Sequence, residues 1–192
     1  MPGFARGANL KKVILASAAL MYHSEPSYLA TMGFHSEAIS LRPVAPGDEE
    51  FLFAVYASSR GDDLESLGWS SAQIREFLES QYEAHRRVLQ SDYRRAEDQI
   101  ILVNGAAAGR LLVERRDHEI RGVDVSLLPE FRNQGIGALL LVQLQTEATR
   151  AQKPLRIQVI RFSPAIGLLE RLGFVRTSET GTHYQMEWRP EA

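Results

Sequence analysis

Residues 127–140 read Leu127-Leu128-Pro129-Glu130-Phe131-Arg132-Asn133-Gln134-Gly135-Ile136-Gly137-Ala138-Leu139-Leu140, and the fold turns on how this stretch is read. Upstream, Val123, Val125 and Leu127 alternate with Gly122, Asp124 and Ser126, the period of a strand. Pro129 ends it. After Gly135-Ile136-Gly137 a helix is expected through about Arg150, because Ile136, Leu139, Leu140 and Leu144 recur at helical spacing. Two glycines at the start of a helix let a bulky anion approach the backbone, where first-turn N–H groups and the positive dipole end bind phosphate. A pyrophosphate ligand is the natural expectation, although Gly-x-Gly alone also fits a tight turn. It is not the dinucleotide fingerprint, since Leu140 holds the third glycine place, nor a Walker loop, since no Lys-Ser/Thr follows.

Working outward, Ile39 to Arg42 reads as a first strand halted by Pro43 and Pro46-Gly47. Asp48, Glu49 and Glu50 place negative charge on the first turn of a helix with an apolar stripe of Phe51, Leu52, Val55 and Tyr56. Ser70 and Gln73 have the spacing of a capping box. The helix they open carries Ile74, Phe77, Leu78, Tyr82, His85, Val88 and Leu89 on one face, and His85 reads as a packed histidine. Gln99 to Val103 and Arg110 to Arg115, joined through Asn104-Gly105, form a hairpin that Asp117-His118 extends into Glu119 to Leu127. Pro154 opens a fifth strand over Leu155 to Phe162, Ser163 and Pro164 read as N-cap and N1 of a short helix ended by Gly173, and Thr180-Gly181 joins two last strands. The order is βααβββαβαββ.

The chain has 192 residues, 44% hydrophobic and 24% charged, with net charge -2 and no cysteine. Mean hydropathy of -0.21 and a pI near 6.2 fit an ordinary globular protein. The absence of Cys excludes disulfides, thiolate metal sites and a Cys nucleophile. The charge balance argues against nucleic acid as a partner, and Arg86-Arg87, Arg94-Arg95 and Arg115-Arg116 read as solvated faces. Arg6, Lys11 and Lys12 precede an apolar run, Val13 to Tyr22, that is too short to span a membrane and is followed by no small-x-small cleavage site. We therefore expect a cytoplasmic protein with a dispensable N-terminal extension, residues 1–37, and one domain, residues 38–192.

The run Pro129-Glu130-Phe131-Arg132 to Gly137 resembles the acyl-CoA signature of the GNAT acetyltransferases, Arg/Gln-x-x-Gly-x-Gly/Ala. Ser163-Pro164-Ala165 to Leu172-Gly173-Phe174 is similar to the family's later signature, Asn-Pro-Ala and a short helix ending in Leu-Gly-Phe. Found in order inside βααβββαβαββ, the two extend the resemblance over about residues 38–190. The resemblance implies an α/β (α+β) fold: a mixed, mostly antiparallel sheet of about seven strands, splayed in the middle and flanked by about four helices. It also implies acetyl-CoA as cosubstrate, no metal, and transfer of the acetyl group to an amine of unassigned identity. Arg132, Asn133, Gln134, Gly135, Ile136, Gly137 and Ala138 are then expected around the pyrophosphate, Leu127 beside the pantetheine and Ser163 in the later signature. A homodimer is an open expectation.

Family members usually let the amine attack the thioester directly, so a base is needed. Asp124 is the first candidate and Glu119 the second; both also fit polar positions on a half-exposed strand. The family's acid is a Tyr four residues before the Gly of Leu-Gly-Phe, where this chain has Leu169, and its Asn is replaced by Ser163. Tyr184, facing with Met186 and Trp188, is a candidate substitute that also fits a packed aromatic row. A non-catalytic acyl-CoA sensor is the alternative. Asp62, Asp63 and Glu65 read either as a draw for a cationic amine or as a solvated loop.

Overall fold

The computed structural model describes residues 39–60, 64 and 68–191. The expected extension 1–37 and the acidic residues Asp62, Asp63 and Glu65 lie outside the described residues.

The strands are β1 (Ile39–Pro43), β2 (Glu97–Val103), β3 (Ala106–Arg115), β4 (Ile120–Leu127), β5 (Leu155–Ile160), β6 (Val175–Glu179) and β7 (His183–Trp188). The helices among the described residues are α1 (Glu49–Ser58), α2 (Ser71–Asp92), α3 (Ile136–Ala151) and α4 (Ala165–Arg171), with short 3-10 turns at Pro46–Asp48 and Pro129–Phe131. The order matches the βααβββαβαββ expected. All seven strands join one sheet in the order β1-β2-β3-β4-β5-β7-β6, antiparallel throughout except for β4 beside β5.

Local chemistry explains the joints. Asn104 and Gly105 both take positive φ, 51° and 87°, as a tight primed turn between β2 and β3 requires. Pro43 is paired with Gln99 within β1, where the sequence suggested a stop. An edge strand tolerates its missing N–H. Ser70 and Gln73 form the expected reciprocal capping box on α2.

The two faces of the sheet are covered by different helices. Ile100 and Ile101, consecutive on β2 and both fully buried, point to opposite sides. Ile100 packs with Leu52 of α1 and Tyr82 of α2. Ile101 belongs to the larger core, with Leu140 and Leu144 of α3, Leu169 of α4 and Met186 of β7. On α2 the buried stripe narrows to Leu78, Tyr82 and Leu89, and Phe77 and Val88 are exposed.

One irregularity shapes the middle of the sheet. Leu112 pairs with Asp124 but the next residue, Val113, pairs with Gly122, so Val123 is an extra residue bulged out of β4. Ladder contact between β4 and β5 is confined to Ile120, Gly122 and the residue between them, against Leu155 to Ile157. Gly122 is a close approach: a Cβ there would stand 3.1 Å from Ile157 Cγ1. Beyond it β4 continues to Leu127 paired only with β3, and β4 and β5 part. The expected splay is therefore in the ladder, and it opens at the bulge.

Candidate functional site

The opening is lined by backbone. Leu128 N–H donates to the Ala108 carbonyl at 2.9 Å. Counting back along the Gly109–Leu127 register, residues 128, 126 and 124 bond toward β3, since antiparallel ladders alternate. Val125 and Leu127 therefore turn their amide groups toward the gap on the β5 side. An extended polar chain inserted there would find a strand edge to bond.

The loop after β4 ends at the mouth of this gap. Asn133 (φ 60°) and Gly135 (φ 79°) are both left-handed, which curls the loop onto the start of α3. Gly135 is the N-cap of α3, and Leu139 N–H donates to its carbonyl at 3.0 Å. The N–H groups of Ile136, Gly137 and Ala138 thus precede the first intrahelical bond, as first-turn donors must. A Cβ on Gly137 would meet only Leu168 Cδ2, at 3.8 Å. The fold itself does not demand glycine at 137; the space its missing side chain leaves is open to a ligand. The Gln134 amide is committed to the Glu130 carbonyl at 2.6 Å, so the backbone of this residue, not its side chain, is what the cradle offers.

Arg132, expected near the phosphates, has protein partners on two sides. Its Nε donates to the Leu127 carbonyl at 2.9 Å, and its Nη2 donates to the carbonyl and Oγ of Ser58 at 3.1 and 2.9 Å. The guanidinium ties the loop to the end of β4 and to the last residue of α1. On the other side of the gap, Ser163 Oγ accepts the Ala165 N–H at 3.2 Å, a capping contact for α4, which begins at Ala165.

Because of the bulge, Asp124 pairs with Leu112 and faces the α1–α2 side of the sheet. Its carboxylate accepts from Ser126 Oγ and stands 3.8 Å from Arg110 Nη1, while Arg110 itself is bound to Asp98 at 2.7 and 2.8 Å. The Asp124 side chain is 24% exposed. From α2, His85 packs at a tilt on Tyr56 of α1 with ring centroids 5.3 Å apart, and the Arg60 guanidinium lies 3.9 Å from the centre of the same Tyr56 ring. Burial holds the His85 imidazole below the ordinary histidine pKa; the Asp124 carboxylate opposes this, and Arg60 and Arg110 reinforce it. His85 and Asp124 thus sense each other across the helix–sheet interface. Sequence reasoning passed over His85, because i, i+4 and i+7 spacing with Leu78 and Tyr82 is what a packed residue also shows.

Glu119 lies just before β4, at the closed end of the ladder. Its side chain is 2% exposed and is held by Arg116 at 3.0 Å, Arg156 at 2.8 Å and Arg121 at 3.6 Å. The Arg115-Arg116 pair, read as a solvated face, is in fact tied into carboxylates: Arg116 also bonds the buried Glu114, and Arg115 binds Glu147. Tyr184 packs against the larger core with Arg176 3.5 Å over its ring. Leu169, in the place of the family's Tyr, is 2% exposed within that core. Among the described residues no cluster of His, Asp or Glu has the arrangement of a metal site, and no helix is long and apolar enough to cross a membrane.

Residues 89–176 match the family model described as acetyltransferase (GNAT) domain. No curated protein matches the sequence. Among solved structures, the chain is similar to the PaiA N-acetyltransferase of Thermoplasma acidophilum in complex with coenzyme A, at 18% identity and a TM-score of 0.60, covering 79% of this chain and 99% of that one. A GNAT family acetyltransferase of Elizabethkingia anophelis with acetyl-CoA bound is similar at 16% identity and a TM-score of 0.50, over 79% and 97% of the two chains. The ribosomal-protein-S18-alanine N-acetyltransferase of Escherichia coli is similar at 15% identity and a TM-score of 0.54, over 81% and 96%.

Proposed function

We propose that this chain, of which residues 89–176 match the acetyltransferase (GNAT) domain model, transfers the acetyl group of acetyl-CoA to a primary amine by direct attack within a ternary complex. The observation that carries this reading is the gap beside β4, with the Val125 and Leu127 amides along it and the left-handed loop before α3 at its mouth. Acetyl-CoA supplies an acyl carbon already activated as a thioester. The first-turn N–H groups at Ile136, Gly137 and Ala138 and the α3 dipole suit its pyrophosphate, and the strand edge suits its amide-rich arm. A backbone N–H near Leu127 is placed for the charge that develops on the acyl oxygen, a donor whose loss typically costs about 3 kcal/mol.

An alkyl amine with a pKa near 10.4 arrives protonated. Asp124 takes that proton in this reading, directly or through a water, with His85 beside it. Glu119, locked among arginines, is poorly placed for it. Leu169 offers no proton to the departing thiolate, but a thiol with a pKa of about 8.5 leaves tolerably near neutrality. The same buried Leu169 favours a second reading, a non-catalytic acyl-CoA sensor. Turnover separates the two.

The first test is thermal. Acetyl-CoA at about 100 times its Kd should add roughly 2.7 kcal/mol and raise Tm by about 5–10 °C. Gly135→Asp, which strains a left-handed position and puts a carboxylate against the pyrophosphate, should abolish the shift. Free-thiol release with pools of amines then reads turnover. No Tm shift in the wild type would remove the cofactor assignment.

A further inference from the structure

We propose that Arg121, Arg156 and Arg189 form a preorganised anion site on the face of the sheet that carries Asp124, and that it docks an acidic group borne by the acceptor amine. This rests on the acetyl-transfer reading above. Arg121 pairs with Glu114 and Asp124 with Leu112, alternate residues of β3, so both side chains leave the sheet on one side. Arg156 is the neighbour of Arg121 across the parallel ladder, and Glu187 of β7 is opposite Arg156. These strands floor a groove of about 390 Å³ walled by the three arginines, Gln185, Thr177 and Ser178.

The carboxylates beneath it explain how the arginines are held. Glu114, Glu119 and Glu187 are all buried. Burying a carboxylate beside a guanidinium is weak as a source of stability, since desolvation offsets the attraction. What the arrangement provides is geometry. Arg156 is fixed by its Nε on Glu187 at 2.6 Å and its Nη1 on Glu119 at 2.8 Å, and Arg189 by its Nε on Glu187 at 2.5 Å. Arg121 is the most loosely engaged, 3.6 Å from Glu119 and donating to the side-chain Oε1 of Gln185 at 3.3 Å. Each guanidinium has five N–H groups, so donors remain for the groove. The charges leave an excess: Arg116, Arg121, Arg156 and Arg189 against Glu114, Glu119 and Glu187. Burial alone pushes the Glu187 carboxyl up, but the hydrogen bonds of Arg156 and Arg189 bring it below its ordinary value.

Arg121 is three residues from Asp124, about 10 Å along an extended strand. The matching acceptor is an amine with an anionic group about that far from its nitrogen. A carboxylate and a phosphate both fit a guanidinium fork.

The probes are 8-aminooctanoate, which spans roughly 10 Å when extended, its carboxamide and its phosphonate analogue, titrated calorimetrically into the full chain without acetyl-CoA. The carboxylate or the phosphonate should bind about tenfold tighter than the carboxamide, less so at high salt, and the tighter of the two identifies the natural group. Arg121→Gln should bring the preference to near one. Arg189→Gln removes a side chain that is 68% exposed, so it tests the site even if the first variant fails to fold, and it should reduce the preference by about threefold. Equal binding of carboxamide and both anions, or an unchanged preference in the folded variants, overturns the proposal. Anion preference without any acetyl-CoA stabilisation would instead overturn the acetyl-transfer reading and leave this site standing.

Discussion

Arg132 reaches back 74 residues to Ser58 and holds both its carbonyl and its hydroxyl oxygen with one Nη2. The same side chain holds Leu127, so the end of β4, the end of α1 and the start of the loop before α3 share one clamp. Arg132→Lys keeps the charge but not the planar fork. Acetyl-CoA affinity should fall about 5–10-fold in both Arg132→Lys and Arg132→Gln, read by calorimetry at two salt concentrations. If the Lys variant binds like the wild type and only the Gln variant is weak, Arg132 serves the phosphates as a charge.

Asp124→Asn keeps the shape and the contact with Ser126 while removing proton acceptance. If Asp124 is the base, single-turnover acetylation should slow by about 10² to 10⁴-fold with little change in acetyl-CoA affinity. Glu119→Gln, which strips charge from beneath Arg116 and Arg156, should lower Tm more than it lowers the rate. A larger rate defect in Glu119→Gln reverses the assignment.

The lowered pKa of His85 has a signed consequence for stability. Its folded-state value lies below the unfolded one near 6.5, so the unfolded chain binds more protons there. Its contribution is therefore present above pH 6.5 and is lost as pH falls through the folded value. Thermal melts from pH 7.5 to 5 should show Tm dropping in the wild type and dropping less in His85→Gln. Parallel curves for the two proteins would mean another group sets the slope.

Gly109 faces Leu127 across the β3–β4 ladder, and a Cβ there would stand 2.1 Å from the Ser126 carbonyl oxygen. Backbone cannot yield as a side chain can. Gly109→Ala should cost about 1–3 kcal/mol, a Tm loss of roughly 3–10 °C, and should weaken acetyl-CoA binding because β4 must shift along the gap. A variant that melts like the wild type would show that β4 has slack at this point.

The sequence carried the element order almost to the residue, because periodicity, the Asn104-Gly105 turn and the Ser70–Gln73 box are local codes. It also carried the glycine turn that opens α3 at Gly135. It did not carry the bulge: nothing in Gly122-Val123-Asp124 says which residue the neighbouring strand will skip. Without it, the side of the sheet to which Asp124 points was not legible, nor was the commitment of Arg132 to Ser58. Both are decided by tertiary neighbours far away in the chain. One ion pair was misjudged for the same reason, since Arg115 looked solvated until α3 brought Glu147 beside it, 32 residues on.

The gap beyond Gly122 can be seen as a ladder with its last rungs missing. Val125 holds out a donor and an acceptor, and Leu127 its N–H, that in any complete sheet would be spent on a neighbouring strand, so a ligand entering there finishes a piece of secondary structure. Recognition of that arm then depends on its repeating amide pattern and barely on the side chains of β4. Hydrogen exchange gives the idea a direct face: the amides of Val125 and Leu127 should exchange quickly in the free protein and slow sharply when the ligand is bound, while Ser126, already facing β3, should hardly change.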